Sequence, residues 1–239
     1  TIVKWIIVAN DNNGYQNALD TALQSQENAD ADDLVDMFLI EADYALKYAN
    51  DTFAMDVMGD LGLTEDDLAE QYQYTKDIVT DADGVLRAVS WQATPGLFSY
   101  RTDIAEEVLG TSDPEEVQAL LNNWAKFDGV AADMKAEGYA MISGYDDAYR
   151  AYSNNTSGPW VDEDGKVVVD DQIIDWIVQT KEYSDNGYNN GSNLWNGQWF
   201  EDMGPEGSAF GYFFSTWGIN FVLKDGSKAD SAGGDVASN

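Results

Sequence analysis

Apolar runs with the length of strands recur along the chain and are separated by segments with a helical period. The first run, at residues 2–8, is almost entirely apolar. Short apolar runs bounded by turn-forming residues are typical of buried strands. The same pattern predicts further strands at residues 34–40, 85–91, 97–100, 139–143, 166–169 and 209–214.

Between these runs, apolar side chains fall on one face of a helix. The first such face is formed by Tyr15, Ala18, Leu19, Ala22 and Leu23, which follow the i, i+3, i+4 spacing. Further helices are predicted at residues 44–48, at 64–74 after a capping box at Thr64, from Pro114 with Asp113 as its cap, at 124–134, at 173–178 with Gly187 as its C-cap, and from Trp217. Strands that alternate with helices predict an α/β fold with mostly parallel sheets.

The charge of the chain excludes several classes of partner and chemistry. There are 44 Asp and Glu against 12 Lys and Arg, a net charge of −32, and there is no His and no Cys. Nucleic-acid affinity depends on cationic side chains, so a nucleic-acid partner is excluded. Without His or Cys there is no disulfide, no zinc site of the usual kind, no thiol nucleophile and no imidazole base. No apolar run approaches the ~18 residues of a membrane span.

Motifs for catalysis or metal binding are weak. The chain has no G-x-S-x-G elbow and no phosphate-binding loop. A glycosidase needs only two suitably spaced carboxylates, so this class stays open. Residues 10–14 and 162–165 offer clustered oxygen ligands, but neither completes a twelve-residue calcium loop, and turns are the preferred interpretation. We therefore predict no catalytic residue, no metal site and no cofactor.

Tryptophans at the ends of predicted elements are more informative. Trp5, Trp124 and Trp176 fall on apolar faces and are predicted to be core residues. Five others lie beside Gly, Pro, Asn or Ser where loops begin, namely Trp91, Trp160, Trp195, Trp199 and Trp217. In open α/β sheets ligands bind at the carboxyl ends of strands. A Trp ring there offers an apolar face to the C–H face of a sugar, and polar neighbours can bond the hydroxyl groups.

Several segments resemble one protein family in the same order along the chain. Residues 88–103 resemble the segment of extracellular solute-binding proteins that crosses between the two lobes. Residues 160–170 are similar to the family's W-x-D-x-D-G-K hairpin, and residues 209–218 to its strand followed by a G-x-W helix start. The likeness is to the sugar-binding proteins of bacterial carbohydrate ABC importers, of the maltose-binding type.

The resemblance implies a two-lobe, type II periplasmic-binding-protein-like α/β fold with an incomplete first lobe. Residues 1–98 would be part of lobe I, residues 99–224 lobe II, and residues 225–239 a loop or a truncated return segment. The chain would then be an interior fragment of a longer lipoprotein. The family's mode of action implies capture of a sugar by closure of the lobes, with no reaction.

The same resemblance assigns ligand-binding roles to individual residues. Trp217 matches a Trp that stacks on sugar from the second lobe, and Asp147 and Tyr149 match an acidic-x-Tyr group that contacts sugar. Glu41 and Asp43 match acids at the end of a first-lobe strand, although a helix N-cap is the competing interpretation for both. The remaining candidates are Trp91 and Gln92 near the hinge, and Trp160, Trp195 and Trp199 in lobe II.

The implied partners are a sugar or oligosaccharide and the permease subunits of an ABC importer. The resemblance also implies a monomer that works outside the cytoplasm and is lipid-anchored at the cell surface. Two alternatives remain open. Acids beside aromatic rings also suit a polyamine or another cationic ligand bound by the same fold, and two carboxylates could serve a glycosidase.

Overall fold

The computed structural model describes residues 3–226 of the chain. They divide into two compact units, with the division between Ala93 and Thr94. Most of the predicted loop at residues 225–239 lies outside the described residues, and Lys224–Gly226 forms a helical turn (α10, below). None of the helices within residues 3–226 combines the length and the apolar composition that crossing a membrane requires.

The first unit is built from short helices and turns. Its α-helices are α1 (Gly14–Ser25), α2 (Ala45–Ala49) and α3 (Gln73–Asp77), and its 3-10 turns are Asp11–Asn13, Gln26–Asn28 and Ala42–Tyr44. The apolar face predicted for α1 is confirmed, because Leu19 and Leu23 pack with Tyr48 in the buried core of this unit. The short helix predicted around residues 44–48 is also confirmed as α2.

Three predicted strands in this unit are wrong. None of the segments 3–8, 34–40 and 85–91 forms a strand. The β-pairing among them in the described residues is an isolated antiparallel bridge between Leu86, in the third segment, and Thr80. In the first segment Trp5 is 70% exposed and Ile7 90% exposed, so Trp5 is not the core residue that its apolar setting predicted. A strand requires a ladder of hydrogen bonds to a neighbouring segment, and within the described residues none of these segments forms more than that isolated bridge.

The helix predicted for residues 64–74 is also wrong in extent. Thr64 and Asp67 do form the reciprocal bonds of a capping box, since Thr64 N donates to Asp67 Oδ2 at 2.9 Å and Asp67 N donates to Thr64 Oγ1 at 3.3 Å. The backbone beyond it continues in turns, with bonds such as Leu68 N to Glu65 O that span three residues rather than four. The α-helix begins only at Gln73.

The second unit contains a four-stranded mixed sheet. Its strands are β1 (Gly96–Tyr100), β2 (Ala140–Gly144), β3 (Asn189–Ser192) and β4 (Ala209–Ser215), in the spatial order β1-β4-β2-β3. Strand β2 is parallel to both β3 and β4, while β1 pairs antiparallel with β4. The mostly parallel α/β sheet predicted from the sequence is therefore confirmed in this unit.

Helices follow the strands of this unit. They are α4 (Thr102–Leu109), α5 (Pro114–Leu121), α6 (Trp124–Ala136), α7 (Tyr149–Ser153), α8 (Asp171–Asn186) and α9 (Gly197–Glu201), then a π-helical turn Ile219–Leu223 and α10 (Lys224–Gly226). Those predicted from Pro114, at residues 124–134 and at residues 173–178 are confirmed as α5, α6 and α8, whereas α4, α7 and α9 were not predicted. Asp113 caps α5 by accepting bonds from Glu115 N and Glu116 N. Gly187 ends α8 with a φ of 69°, a left-handed conformation that glycine adopts without steric cost.

The core of the second unit lies between the sheet and these helices. Met134 of α6, Met141 of β2, Tyr183 of α8 and Phe210 of β4 are all buried in one cluster. The hairpin turn predicted at residues 162–165 is present, with Gly165 at a φ of 77°, but the following strand at 166–169 shrinks to a bridge between Val161 and Val167. Because β2, β3 and β4 are parallel, their carboxyl ends meet at one edge of the sheet.

Candidate functional site

The loops that leave the carboxyl ends of β2, β3 and β4 lie side by side. Tyr145, which follows β2, donates its backbone N–H to Ser192 O of β3 at 3.1 Å. Asp146 Oδ1 accepts a 3.0 Å bond from the backbone N–H of Leu194, which follows β3. These bonds hold the β2 and β3 loops together, so the edge has a defined shape where α/β proteins commonly bind ligands.

Two tryptophans from different loops form a paired aromatic surface at this edge. The rings of Trp195 and Trp217 are nearly parallel, with an interplanar angle of 13° and centroids 6.1 Å apart. Trp195 is 55% exposed and Trp217 38% exposed. Trp195 has a φ of 71°. This left-handed conformation costs energy for a residue other than glycine, and residues held in such conformations cluster at ligand-binding sites. The sequence placed both residues at element ends but could not show that they meet.

Trp199 packs against Trp195 of this pair and has no face open to solvent. It is 0% exposed, and its ring lies 5.3 Å from the Trp195 ring, measured between centroids, at an angle of 56°. Helix α9 begins with the Asn196 side chain accepting a bond from Trp199 N, which directs the indole into the core formed with Tyr212 and Phe214. Its predicted position at an element end is correct, but α9 packs it inward, so it does not present a stacking surface.

Asp147 is likewise buried and is bonded to the protein itself. Its carboxylate accepts hydrogen bonds from Ser143 N at 3.1 Å, from Gly144 N at 2.8 Å and from Trp199 Nε1 at 2.8 Å. Burial raises the pKa of Asp147 to about 7, and the charge of Asp146 adds to the rise, whereas the three donors oppose it. A carboxylate that is 5% exposed and already accepts three bonds orients Trp199 rather than offering an open acceptor to a sugar hydroxyl.

A second buried acid, which the sequence analysis did not single out, joins the strands behind this edge. Asp202 is 4% exposed and accepts bonds from Ser143 Oγ at 2.5 Å, Asn190 Nδ2 at 2.8 Å and Gln198 Nε2 at 2.8 Å. Ser143 Oγ also lies 2.6 Å from Ser192 Oγ. This network connects β2, β3 and α9. Nothing in the spacing around Asp202 in the sequence signals it, because Ser143 and Asn190 come from other elements of the sheet.

Tyr149 and Trp160 occupy other positions in the second unit. Tyr149 begins α7 and packs edge-to-face on Trp176 of α8, with ring centroids 4.9 Å apart. Trp176 is half-buried, and its indole N–H is buried without a hydrogen-bond partner among the described residues. Trp160 is 50% exposed and precedes the 162–165 turn, where its carbonyl accepts a bond from Val168 N. Among the described residues, neither the Tyr149 ring nor the Trp160 ring contacts the ring of Trp195 or Trp217.

The four candidates of the first unit lie in two places. Glu41 and Asp43 are exposed at the 3-10 turn Ala42–Tyr44; Glu41 occupies the N-cap position, but its side chain makes no cap bond. Trp91, which is 77% exposed, and Gln92 line an open groove of about 500 Å³ together with Tyr72, Val89 and other residues of the same unit.

Acidic residues are not gathered into a metal site in the described part of the chain. Within residues 3–226, no group of three or more Asp or Glu side chains is arranged to hold a metal ion. The two Asp- and Asn-rich segments considered for calcium form a 3-10 turn at Asp11–Asn13 and the 162–165 turn. In the latter, Asp162 Oδ1 accepts bonds from Asp164 N and Lys166 N, which is the ordinary bonding of an Asp turn.

Comparisons with known proteins identify the fold. No protein-family model and no curated protein matches the sequence. One solved crystal structure, described as an extracellular solute-binding protein of family 1, matches with a TM-score of 0.72 and 17% sequence identity. The match covers 89% of this chain and 53% of that one, so the chain spans about half the length of the protein it matches. The chain therefore has the α/β fold of an extracellular solute-binding protein, as the resemblance of its sequence segments implies.

Proposed function

We propose that the chain is the ligand-capturing part of a bacterial ABC importer subunit and that its ligand is a sugar or oligosaccharide. The observation that carries this proposal is the paired Trp195–Trp217 surface at the carboxyl edge of the sheet. Two nearly parallel rings, both partly open to solvent, offer flat apolar area where this fold class binds ligands. The fold shared with a solute-binding protein supports the same assignment.

The chemistry of the edge suits a polyhydroxylated ligand. A pyranose presents a C–H face that can lie on an indole ring, and aromatic side chains combine such an apolar face with a low loss of side-chain entropy. Tyr145 is 45% exposed in the β2 loop beside this edge, and its phenol can both donate and accept hydrogen bonds. The edge thus combines apolar stacking surface with a hydroxyl that can bond the rim of a sugar.

The wider assignment follows from the proposed role. The partners would be the membrane-embedded permease subunits of an importer, and the protein would act as a monomer outside the cytoplasm, lipid-anchored as part of a longer protein. No covalent step is part of this role. The ligand contacts assigned by resemblance to Glu41, Asp43, Trp91, Gln92, Tyr149 and Trp160 stay predictions.

Saturation-transfer NMR on the full chain with a panel of mono- and oligosaccharides tests the proposal. We expect at least one sugar to receive saturation mainly at its ring C–H protons, because these protons lie closest to the indole faces. Sugar binding should change little between about 20 mM and 500 mM salt, since no ion pair is involved. Absence of transfer to every sugar, or binding that is abolished by salt, would contradict the proposal.

A further inference from the structure

The second unit has a groove between helices α6, α7 and α8 that shares no residue with the Trp195–Trp217 surface. Its volume is about 220 Å³, which is smaller than the ~300–1,000 Å³ of sites for drug-sized ligands. Its lining residues are Trp124, Asp128, Tyr152, Asp175, Val178, Gln179 and Glu182. We propose that this groove binds a small organic amine, with Asp128, Asp175 and Glu182 facing the ammonium group and Tyr152 bonding to it.

Tyr152 provides the polar group at the base of the groove. It is 3% exposed, and its ring stacks on Trp124 at 4.4 Å between centroids and 9° between planes. Its hydroxyl forms no hydrogen bond with another described residue and is not one of the completely buried unbonded atoms, so it is accessible from the groove that Tyr152 lines. Burial and the charges of Asp128 and Asp175 raise the pKa of Tyr152, so its hydroxyl stays protonated and both carboxylates act on it electrostatically.

Three carboxylates line the groove without a cation of their own. Asp128 Oδ1 accepts bonds from Gln179 Nε2 at 3.0 Å and Tyr183 OH at 2.8 Å, which fixes its orientation. Asp175 and Glu182 stand seven positions apart on α8 and therefore share a helix face. None of the ion pairs formed among the described residues includes any of the three. The groove is consequently a concentrated negative charge beside electron-rich rings.

This combination favours an ammonium ion over a metal or a neutral ligand. A metal needs several carboxylates that converge on one point, and within residues 3–226 no set of three or more acidic side chains is arranged in that way. A primary ammonium carries three N–H donors, which matches separate carboxylate oxygens and the Tyr152 hydroxyl. Its charge is also attracted by the faces of aromatic rings. The small volume favours a short alkyl chain, which Val178 and Trp124 can contact.

Calorimetric titration of the full chain with 1,4-diaminobutane at about 20 mM salt tests this inference. We expect saturable binding that weakens at least about tenfold at 500 mM salt, because the attraction between charges is screened. The neutral diol of equal length, 1,4-butanediol, should neither bind nor compete. An absence of saturable heat up to about 10 mM amine, or equal competition by the diol, would overturn the proposal.

Matched variants separate this groove from the general acidity of the protein. Tyr152→Phe should weaken amine binding about three- to tenfold while leaving the fold intact, since a hydroxyl that bonds to no other residue contributes little stability. Glu182→Gln should weaken it several-fold, whereas Asp133→Asn, which removes one charge from an exposed position of α6, should change it less than twofold. Equal losses in Glu182→Gln and Asp133→Asn would mean that the amine binds only to diffuse charge and would refute the site.

Sugar binding serves as an independent readout. Tyr152→Phe should leave the transfer of saturation to sugars unchanged, because the two sites have no residue in common. The amine site can therefore fail while the proposed sugar site holds, and the reverse outcome is equally distinguishable.

Discussion

Trp199→Ala is expected to lower the free energy of unfolding of the second unit by at least about 4 kcal/mol, the upper range for large-to-small changes in a core. Trp199 is fully buried, and its ring contacts those of Trp195, Phe200, Tyr212 and Phe214. The substitution would leave a cavity and would also deprive the buried Asp147 of one hydrogen-bond donor. Urea unfolding followed by near-ultraviolet circular dichroism measures the change.

Trp160→Ala is the matched control for this experiment. It removes the same side chain from the same unit at a position that is 50% exposed, and we expect a loss below about 1 kcal/mol, as for most surface changes. Similar losses in the two variants would show that Trp199 is not the core residue described above.

The stability of the protein is expected to fall as the pH rises from about 4 to about 7 because of Asp147. Its pKa is about 7 in the folded protein against 3.8 for an unperturbed carboxyl group. Between these values the folded state holds a proton on Asp147 that the unfolded state has released, so the contribution of Asp147 to stability decreases with pH across this window. A shift of this size corresponds to about 4 kcal/mol at about 1.4 kcal/mol per pKa unit.

Asp147→Asn isolates this contribution. The amide cannot titrate, so the variant should not lose the stability that wild type loses through Asp147 between pH 4 and pH 7. The unfolding free energy of the variant relative to wild type should therefore rise by several kcal/mol over this range. Asp133→Asn, at an exposed position, should leave the wild-type pH profile unchanged. The assignment to Asp147 would be refuted by a difference between wild type and Asp147→Asn that stays constant over this range.

Helices α5, α6 and α8 of the second unit were predictable because their signals are local. The Asp113–Pro114 start of α5, the apolar face of α6 and the Gly187 end of α8 all depend on neighbours within a few residues. Strands β2 and β4 were predictable because both are continuous apolar runs that become buried.

Features that depend on distant partners were not predictable. Strand β3 has the polar sequence Asn-Asn-Gly-Ser and is a strand only because it pairs with β2. The apolar segment at residues 3–8 has strand composition, but it forms no strand, since it has no pairing partner within the described residues. The composition of a segment shows whether it is suited to form a strand, whereas its pairing with another strand depends on the whole fold.

The candidate site shows the same division at the level of single side chains. Trp199 and Trp217 were both predicted at element ends and were both candidates for contact with a ligand. The structure separates them because α9 packs Trp199 against β4, whereas Trp217 remains 38% exposed beside Trp195. The resemblance assigned a sugar contact to Asp147, but its carboxylate already accepts hydrogen bonds from the backbone N–H groups of Ser143 and Gly144 and from the indole of Trp199.

The dissociation constants of the best-binding sugar for Trp195→Ala, Trp217→Ala and Trp5→Ala test the central claim most directly. Trp5 is 70% exposed in the first unit and serves as the control. Truncating a central aromatic residue of an interface costs about 2 kcal/mol or more, so we predict that each of the first two variants binds about 10- to 100-fold more weakly and that Trp5→Ala binds within twofold of wild type. Wild-type affinity in both Trp195→Ala and Trp217→Ala would show that the sugar does not bind on this aromatic surface.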